Sequence, residues 1–255
     1  MLITISPAKT LDYETPPVTT THTKPAFLKQ SRQLVNILRN YSAMDLAELM
    51  KLSMKLSELN FDRYHSWKTP FNLTNAKQAA LAMKGDVYSG LDAETLNRKG
   101  FDFAQRHLRI LSGLYGVLRP LDLMQPYRLE MGTKLPNEMG KDLYAFWGEQ
   151  ITRAINKDLK AQGDDILINL ASNEYFKSIK TRLIEGRIIT PQFKEKKNGS
   201  YRMIGVFAKR ARGLMSRFII DNRLRNPEEI LAFDSDGYRY HKRLSKEDQW
   251  VFTRG

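Results

Sequence analysis

The sequence predicts a single mixed α/β domain. Its 255 residues are 42% apolar and 27% charged, the balance of a soluble globular chain that is large enough to bury a core. Short apolar runs of strand length, such as residues 165–170, alternate with longer stretches of helical periodicity. No repeat, low-complexity linker or shift of composition divides the chain, so one domain over residues 1–255 is expected.

The first quarter of the chain predicts a strand, an exposed loop and three helices. β-branched and apolar residues open the chain as a strand that Pro7 ends, and the Thr- and Pro-rich stretch after it lacks periodicity. Apolar residues then recur at helical spacing, and Ser42 is placed to cap the second helix. In chain order, these elements are expected at residues 2–6, 10–25, 25–38, 43–49 and 54–65.

The rest of the chain predicts alternating helices and strands. Helices are expected from residue 74 or 75 to Gly85 and over residues 141–159, with Gly163 ending the second. The apolar run at 165–170 predicts a buried strand, and Ser172 is placed to cap the helix after it. An Asn-Gly turn predicts a hairpin of two strands at residues 187–193 and 201–207. A helix is expected next at 208–224, and a final pair of strands at 238–241 and 250–253.

Several classes of function are excluded by what the sequence lacks. The chain has no cysteine, which excludes disulfide scaffolds, thiol nucleophiles, iron–sulfur clusters and zinc ribbons. Neither standard glycine-rich nucleotide cradle occurs, and the four histidines are scattered, so no cofactor and no metal site are expected. No apolar run approaches the roughly 18 residues of a membrane span, and the N-terminus lacks a secretory signal. The sequence therefore predicts a cytoplasmic protein, and a monomer is expected.

The strongest functional signal is positive charge concentrated in one segment. The chain carries a net charge of +13, and residues 177–217 hold twelve Lys and Arg against two Glu. Ten of the thirteen excess charges therefore lie in this basic segment, which indicates a polyanionic partner such as nucleic acid. A lysine-rich face that only confers solubility is the alternative.

The predicted helix 208–224 divides into two arcs. At 100° per residue, four cations share one arc with Gly213 and Ser216, while apolar residues occupy the other. Neutralising phosphates with Lys and Arg releases counterions and gives affinity without sequence preference. The candidate DNA contacts are Lys209, Arg210, Arg212, Arg217, Lys177, Lys180 and, at the rim, Lys9. A solvated helix face is the alternative interpretation.

Glycines beside charged and aromatic residues also predict a polar cleft. They cluster between residues 84 and 132, where irregular backbone is suited to presenting polar side chains. Residues 169–175 add a strand-to-helix junction, a common ligand position in α/β sheets. Candidate lining residues are Ser6, Lys84, Asp86, Tyr115, Arg119, Asp122, Tyr127, Arg128, Glu130, Asn169 and Ser172. Alternatively, these charges satisfy one another, Arg119 with Asp122 and Arg128 with Glu130.

Long motifs at these positions resemble the YaaA family of bacterial peroxide stress resistance proteins. They lie at residues 6–11, 84–88, 111–120, 125–132, 169–172 and 211–217. The resemblance implies a cytoplasmic protein of the hydrogen peroxide response that limits iron-driven damage and binds DNA. It also implies one α/β domain of unusual topology with a helix-hairpin-helix-like element, which falls here at about 43–65. Leu52 and Ser53 stand where such a hairpin usually has a glycine-containing turn.

Two hypotheses of different classes follow. The first is a non-enzymatic protein that binds double-stranded DNA by charge and shape, with little sequence specificity. The second is an enzyme for a small anionic substrate, in a cleft lined by Lys9, Tyr115, Arg119, Arg128 and Ser172. In that case Glu130 or Asp86 is the candidate general base. Iron sequestration is excluded because the sequence offers no suitable ligand set.

Overall fold

Twelve strands and ten α-helices make up the chain, which a computed structural model describes over residues 1–255. The strands are β1 (Leu2–Ile5), β2 (Thr10–Leu11), β3 (Lys77–Gln78), β4 (Met83–Lys84), β5 (Leu108–Ser112), β6 (Gly116–Leu118), β7 (Leu123–Met124), β8 (Ile166–Leu170), β9 (Arg187–Lys197), β10 (Ser200–Arg202), β11 (Arg239–Tyr240) and β12 (Gln249–Arg254). The helices are α1 (Leu28–Leu38), α2 (Ala43–Met50), α3 (Met54–Ser66), α4 (Ala79–Ala82), α5 (Asp86–Leu91), α6 (Arg98–His107), α7 (Leu143–Trp147), α8 (Gln150–Gln162), α9 (Asn173–Phe176) and α10 (Gly205–Asn222).

One mixed sheet of eight strands organises the molecule. Its order is β11-β12-β9-β8-β1-β5-β6, with β10 paired to β9. The interior strand β1 is parallel to both neighbours, and its four residues are buried because the sheet is covered on both faces there. The chain passes from β1 to β5 on one side and later returns to β8 on the other. The predicted single α/β domain is confirmed.

This strand order creates a place for a ligand at the carboxyl ends of β1 and β8. Ile5 lies opposite Leu170 in the parallel register, so both chains leave the sheet side by side. Crevices at such reversals of strand order are where open α/β sheets bind ligands. The loops that start at Ser6 and Ala171 are therefore adjacent.

Helices α5 and α10 cross with their backbones in contact at two glycines. A Cβ atom on Gly213 would lie 1.8 Å from the carbonyl oxygen of Val87, and one on Gly90 would lie 2.3 Å from the carbonyl oxygen of Arg210. No residue with a side chain fits at either position without moving the helices apart. The crossing fixes the middle of α10 against the segment that follows β4.

The crossing corrects the prediction that Gly213 and Ser216 open toward phosphates. Both residues are buried, because α5 covers this part of the arc. The cations beside them consequently do not form one continuous solvent face. Gly213 serves the approach of two helices rather than the approach of a ligand.

The helix predicted between residues 74 and 85 is also wrong. Only the four-residue α4 forms there, between β3 and β4. The side chains of Lys77 and Gln78 are buried and donate to backbone carbonyls of the loop after β2, at 2.7–3.1 Å. Extended backbone at this pair lets both side chains reach that loop, a tertiary requirement that helical periodicity does not reveal.

Two further boundaries differ from the sequence prediction. The helix expected over 141–159 is split into α7 and α8 at Gly148, whose φ of +48° no helix accommodates. The second hairpin strand ends at Arg202 instead of residue 207, because α10 already begins at Gly205. The hairpin itself and the terminal pairing of β11 with β12 are confirmed.

The helix pair at about 43–65 is present as α2 and α3. Ser42 and Asp45 form a reciprocal capping box on α2, and Ser53 caps α3. Lys51, with φ +53°, makes the turn between them. The role of the α2–α3 pair as a helix-hairpin-helix-like DNA contact stays a prediction. None of the helices in the fold combines the length and apolar character needed to cross a bilayer.

Candidate anion-binding cleft

A cleft of about 400 Å³ opens at the carboxyl ends of β1 and β8. Four segments that are distant in sequence converge on it: the loops after β1 and β8, the segment from β4 into α5, and α10. The polar and charged residues that line it include Ser6, Lys9, Lys84, Asp86, Ser172, Lys209 and Arg212. The fold thus gathers several of the residues that the sequence singled out.

Hydrogen bonds between the two serines form the polar floor of the cleft. The backbone N–H of Ser172 donates to Ser6 Oγ at 2.8 Å, and the two hydroxyl oxygens are 3.3 Å apart. The Tyr88 hydroxyl donates to the Ser6 carbonyl oxygen at 3.1 Å, which ties α5 to the same loop. Ser172 holds the N-cap position of α9, yet its side chain makes no capping hydrogen bond, contrary to the prediction.

Arg212 is the most unusual charge in the cleft. It is half-buried, and its guanidinium has neither a carboxylate within 4.0 Å nor a hydrogen bond. Burial lowers the pKa of this guanidinium below its ordinary value, because desolvation penalises the charged form. A partly desolvated cation without a partner is unfavourable, and a bound anion would relieve the penalty.

The remaining cations of the cleft differ in how they are compensated. Lys9 Nζ lies 2.8 Å from Glu130, and Lys84 Nζ lies 2.6 Å from Glu94. The hydrogen bond that Lys84 donates to Glu94 is the main reason that the pKa of Lys84 is raised. Lys209, in contrast, is exposed and has no ion pair. The uncompensated positive charge of the cleft therefore resides on Lys209 and Arg212.

Asp86 brings a carboxylate into the same cleft. It lies in the first turn of α5, is half-buried, and has no cation within 4.0 Å. Glu130, the other candidate base, is bonded to Arg128 at 3.1 Å as well as to Lys9. Glu130 also lies outside the cleft lining, so Asp86 is the candidate base that is free to meet a ligand. Glu174, a further lining carboxylate, accepts from the Gly132 N–H at 2.9 Å.

Two predicted DNA contacts on α10 are held by protein groups. Arg210 pairs with Asp236 at 3.0 Å. Arg217 pairs with Asp221 at 2.8 Å and also donates to the Asp92 carbonyl oxygen at 2.8 Å and to Thr95 at 2.6 Å. Arg217 therefore fastens the end of α5 to α10, and its donors are occupied.

Two further predicted contacts, Lys177 and Lys180, have no carboxylate partner. Lys177 is exposed, with its ammonium 5.0 Å from the centre of the Tyr144 ring, and Lys180 is half-buried. Neither has an ion pair, and both follow directly from the α9 segment that lines the cleft.

Several predicted lining residues lie outside the cleft because they are bonded within the protein. Asp122 is only 1% exposed and accepts from the backbone N–H of Arg119 at 2.8 Å and from its guanidinium at 3.1 Å. Asn169 is buried and accepts from the Ala171 N–H at 3.0 Å.

Two predicted tyrosines are part of the core. Tyr115 donates to the Gln125 carbonyl oxygen at 3.1 Å, and the hydroxyl of Tyr127 is 2.6 Å from that of Ser112. Burial raises the pKa of both tyrosines well above the ordinary value. Neither ring reaches the cleft, so they do not contact a ligand there.

The sequence analysis missed residues that shape the site indirectly. Asp12 and Glu94, the counter-ions of Lys84, come from a loop and a short 3₁₀ turn, and nothing in the sequence connects them to Lys84. Gly90 was missed as the partner of Gly213. No group of three or more His, Asp or Glu side chains is arranged to hold a metal ion.

Comparison with protein families places the whole cleft inside a known family. The family described as "Peroxide stress protein YaaA" matches residues 1–244 of the 255. The chain belongs to this family. The match includes every segment that lines the cleft, from Ser6 to Arg212. Membership in the YaaA family therefore identifies a peroxide stress protein.

Proposed function

We propose that this YaaA-family protein binds double-stranded DNA during the peroxide response and so limits iron-driven damage. The observation that carries the proposal is the free charge of the basic segment. Of its twelve cations, only Arg187, Arg210 and Arg217 have a carboxylate within 4.0 Å, which leaves nine unpaired. Unpaired cations neutralise phosphates at no cost in broken ion pairs, and the released counterions supply affinity.

Some of the unpaired cations of the basic segment lie in or near the cleft. Arg212, Lys209 and Lys9 line it, and Lys177 and Lys180 follow in the chain after α9, which also lines it. Four cations and two carboxylates line the cleft, and a concave surface with an excess of positive charge attracts a polyanion from solution. DNA that lies across the mouth of the cleft would meet its exposed cations, such as Lys209, while Arg212 lies inside.

The helix crossing argues for low sequence specificity. Direct readout requires a helix face that is free to enter the major groove. The face of α10 that carries its cations is covered at Gly213 by α5. Contacts with phosphates remain accessible to Lys209 and its neighbours, and such contacts carry no sequence information.

The salt dependence of binding tests this proposal. Five to eight neutralised phosphates give a slope of log K against log[salt] of roughly −4 to −7, measured by fluorescence anisotropy with a labelled duplex. Changing Lys177, Lys180 and Lys209 together to Ala should reduce the slope by about three. Arg210 and Arg217 are left unchanged because they hold other parts of the protein.

A matched triple variant controls for net charge. Lys29, Lys68 and Lys160 are exposed, have no ion pair and lie outside the basic segment. Their joint change to Ala removes the same charge and should leave the slope within about one of the wild type. A flat salt dependence in the wild type, or equal losses in both triple variants, would refute binding through the basic segment.

Catalysis on a small anion is the second candidate function. The observation in its favour is that Asp86 faces the same cleft as Arg212 without an ion pair, as a general base beside a bound anion would. If this function is the biological one, Asp86→Asn abolishes peroxide protection in cells while the variant still binds DNA in vitro. If protection survives in Asp86→Asn cells, the catalytic candidate is excluded.

A further inference from the structure

The size of the cleft limits what enters it. A volume of about 400 Å³ falls in the range of sites for small molecules, roughly 300–1,000 Å³. A duplex lies across such an opening, whereas a single nucleotide or a strand end enters it. The unpaired guanidinium of Arg212 lies inside, so its partner must be small or terminal.

The charge of the cleft indicates which small group fits. Lys9 and Lys84 are compensated by carboxylates, so the cations of the cleft without an ion pair are Arg212 and Lys209, and the lining carboxylates Asp86 and Glu174 have no ion pair either. A phosphomonoester carries about −1.5 to −2 charges near neutral pH and presents three acceptor oxygens. An internal phosphodiester carries a single charge and is flanked by sugar on both sides.

We propose that the cleft binds a terminal phosphate group, that is, a phosphomonoester, through Arg212 and Lys209. The planar guanidinium donates two parallel hydrogen bonds to phosphate oxygens, and the lysine adds a point charge. The hydroxyls of Ser6 and Ser172 lie on the floor of the same cleft. Because they bond mainly to each other's loop, they hold the floor in place while the cations meet the ligand.

The carboxylate of Asp86 affects which phosphate ligands the cleft favours. Its carboxylate faces the same cleft without a cation, so it repels a bare dianion and favours a ligand that offers it a hydroxyl or a proton. Asp86→Asn removes the repulsion and should therefore strengthen the binding of inorganic phosphate. Variants at Arg212 and Asp86 thus shift the affinity for phosphate in opposite directions.

One ligand chemistry has two sources here, a free nucleotide and the phosphorylated end of a broken DNA strand. Only the second source rests on the proposed DNA binding. Strand ends connect the cleft to the basic segment, because Lys177 directly follows α9, whose residues line the cleft. The experiments below separate the two sources.

The first experiment titrates dTMP and inorganic phosphate into the full chain by calorimetry. Arg212→Lys retains the charge but loses the two parallel hydrogen bonds of the guanidinium. It should therefore weaken dTMP binding at least about tenfold, which corresponds to about 1.4 kcal/mol. Asp86→Asn should strengthen phosphate binding several-fold, and Lys160→Ala should match the wild type. Equal dTMP affinity in the wild type and Arg212→Lys would overturn the proposal.

The second experiment compares three DNA forms: a duplex with a recessed 5′-phosphate, the same duplex with a 5′-hydroxyl, and a closed circle without ends. A preference of the wild type for the phosphate end that disappears in Arg212→Lys supports a strand end as the ligand. Binding of dTMP without an end preference supports a free nucleotide.

Absence of both dTMP binding and an end preference overturns the phosphomonoester proposal. That result leaves the proposed function intact as long as the wild type binds the closed circle with a steep salt dependence. Failure to bind the closed circle refutes the proposed function instead, and the dTMP titration then still decides the phosphomonoester site.

Discussion

Arg119 and Arg212 have similar surroundings in the sequence and opposite surroundings in the structure. Each lies near glycine in a polar motif. The guanidinium of Arg119 donates to Asp122, and the same nitrogen lies 3.4 Å from the Lys24 carbonyl oxygen. The guanidinium of Arg212 has no partner. The difference shows that an arginine whose donors are occupied stabilises a turn, while one left unpaired in a cleft is available to a ligand.

The same distinction separates the two regions to which these residues belong. The turn at 119–122 satisfies its charges locally, since its acid lies three residues from its base. The cleft assembles its charges from four segments and leaves two cations and two carboxylates without an ion pair. Predictions that perturb one region at a time can test this contrast.

The largest expected effect is at Gly213, which holds the cleft together. Gly213→Ala places a Cβ atom 1.8 Å from the Val87 carbonyl oxygen and should lower the free energy of unfolding by about 3 kcal/mol. Gly205→Ala is the matched control on the same helix, because no atom lies within 4 Å of its added Cβ. It should leave stability unchanged or raise it by up to about 1 kcal/mol. Urea denaturation followed by circular dichroism measures both, and equal effects would contradict the crossing.

A smaller loss is expected from breaking the turn. Asp122 is buried and accepts hydrogen bonds from Arg119 and Thr23. Asp122→Ala leaves those donors unsatisfied and should lower the free energy of unfolding by about 2 kcal/mol. The folded fraction should still bind duplex DNA with the affinity of the wild type. A variant of normal stability with weakened DNA binding would assign the turn to the interface.

The smallest effect on stability is expected at Arg212. Since its guanidinium has no partner to lose, Arg212→Met should change the free energy of unfolding by less than about 1 kcal/mol. The methionine retains most of the aliphatic length that packs in the cleft. A loss comparable with that of Asp122→Ala would show that Arg212 has a structural partner.

The sequence predicts the fold better than it predicts the site, for a physical reason. Strands such as β1 and β8, and caps such as Ser42, depend on local patterns and follow from the sequence. The segment around Lys77 depends on hydrogen bonds to a distant loop, and local periodicity misassigns it.

The site is harder because pairing between charges is a tertiary property. No local pattern in the sequence predicts the ion pair of Arg210 with Asp236 or that of Lys84 with Glu94. Arg212 has no acidic residue three or four positions away, which the sequence does show. Only the fold reveals that no distant carboxylate reaches Arg212 and that α5 covers Gly213.

The most direct test of the account compares how Arg212→Ala and Arg119→Ala bind a duplex with recessed 5′-phosphate ends, at one ionic strength and on protein shown to be folded. Both changes remove one arginine, and only Arg212 lines the cleft. The account predicts that Arg212→Ala weakens binding by about tenfold, while Arg119→Ala stays within about twofold of the wild type. Equal losses in the two variants, or a larger loss in Arg119→Ala, would contradict it.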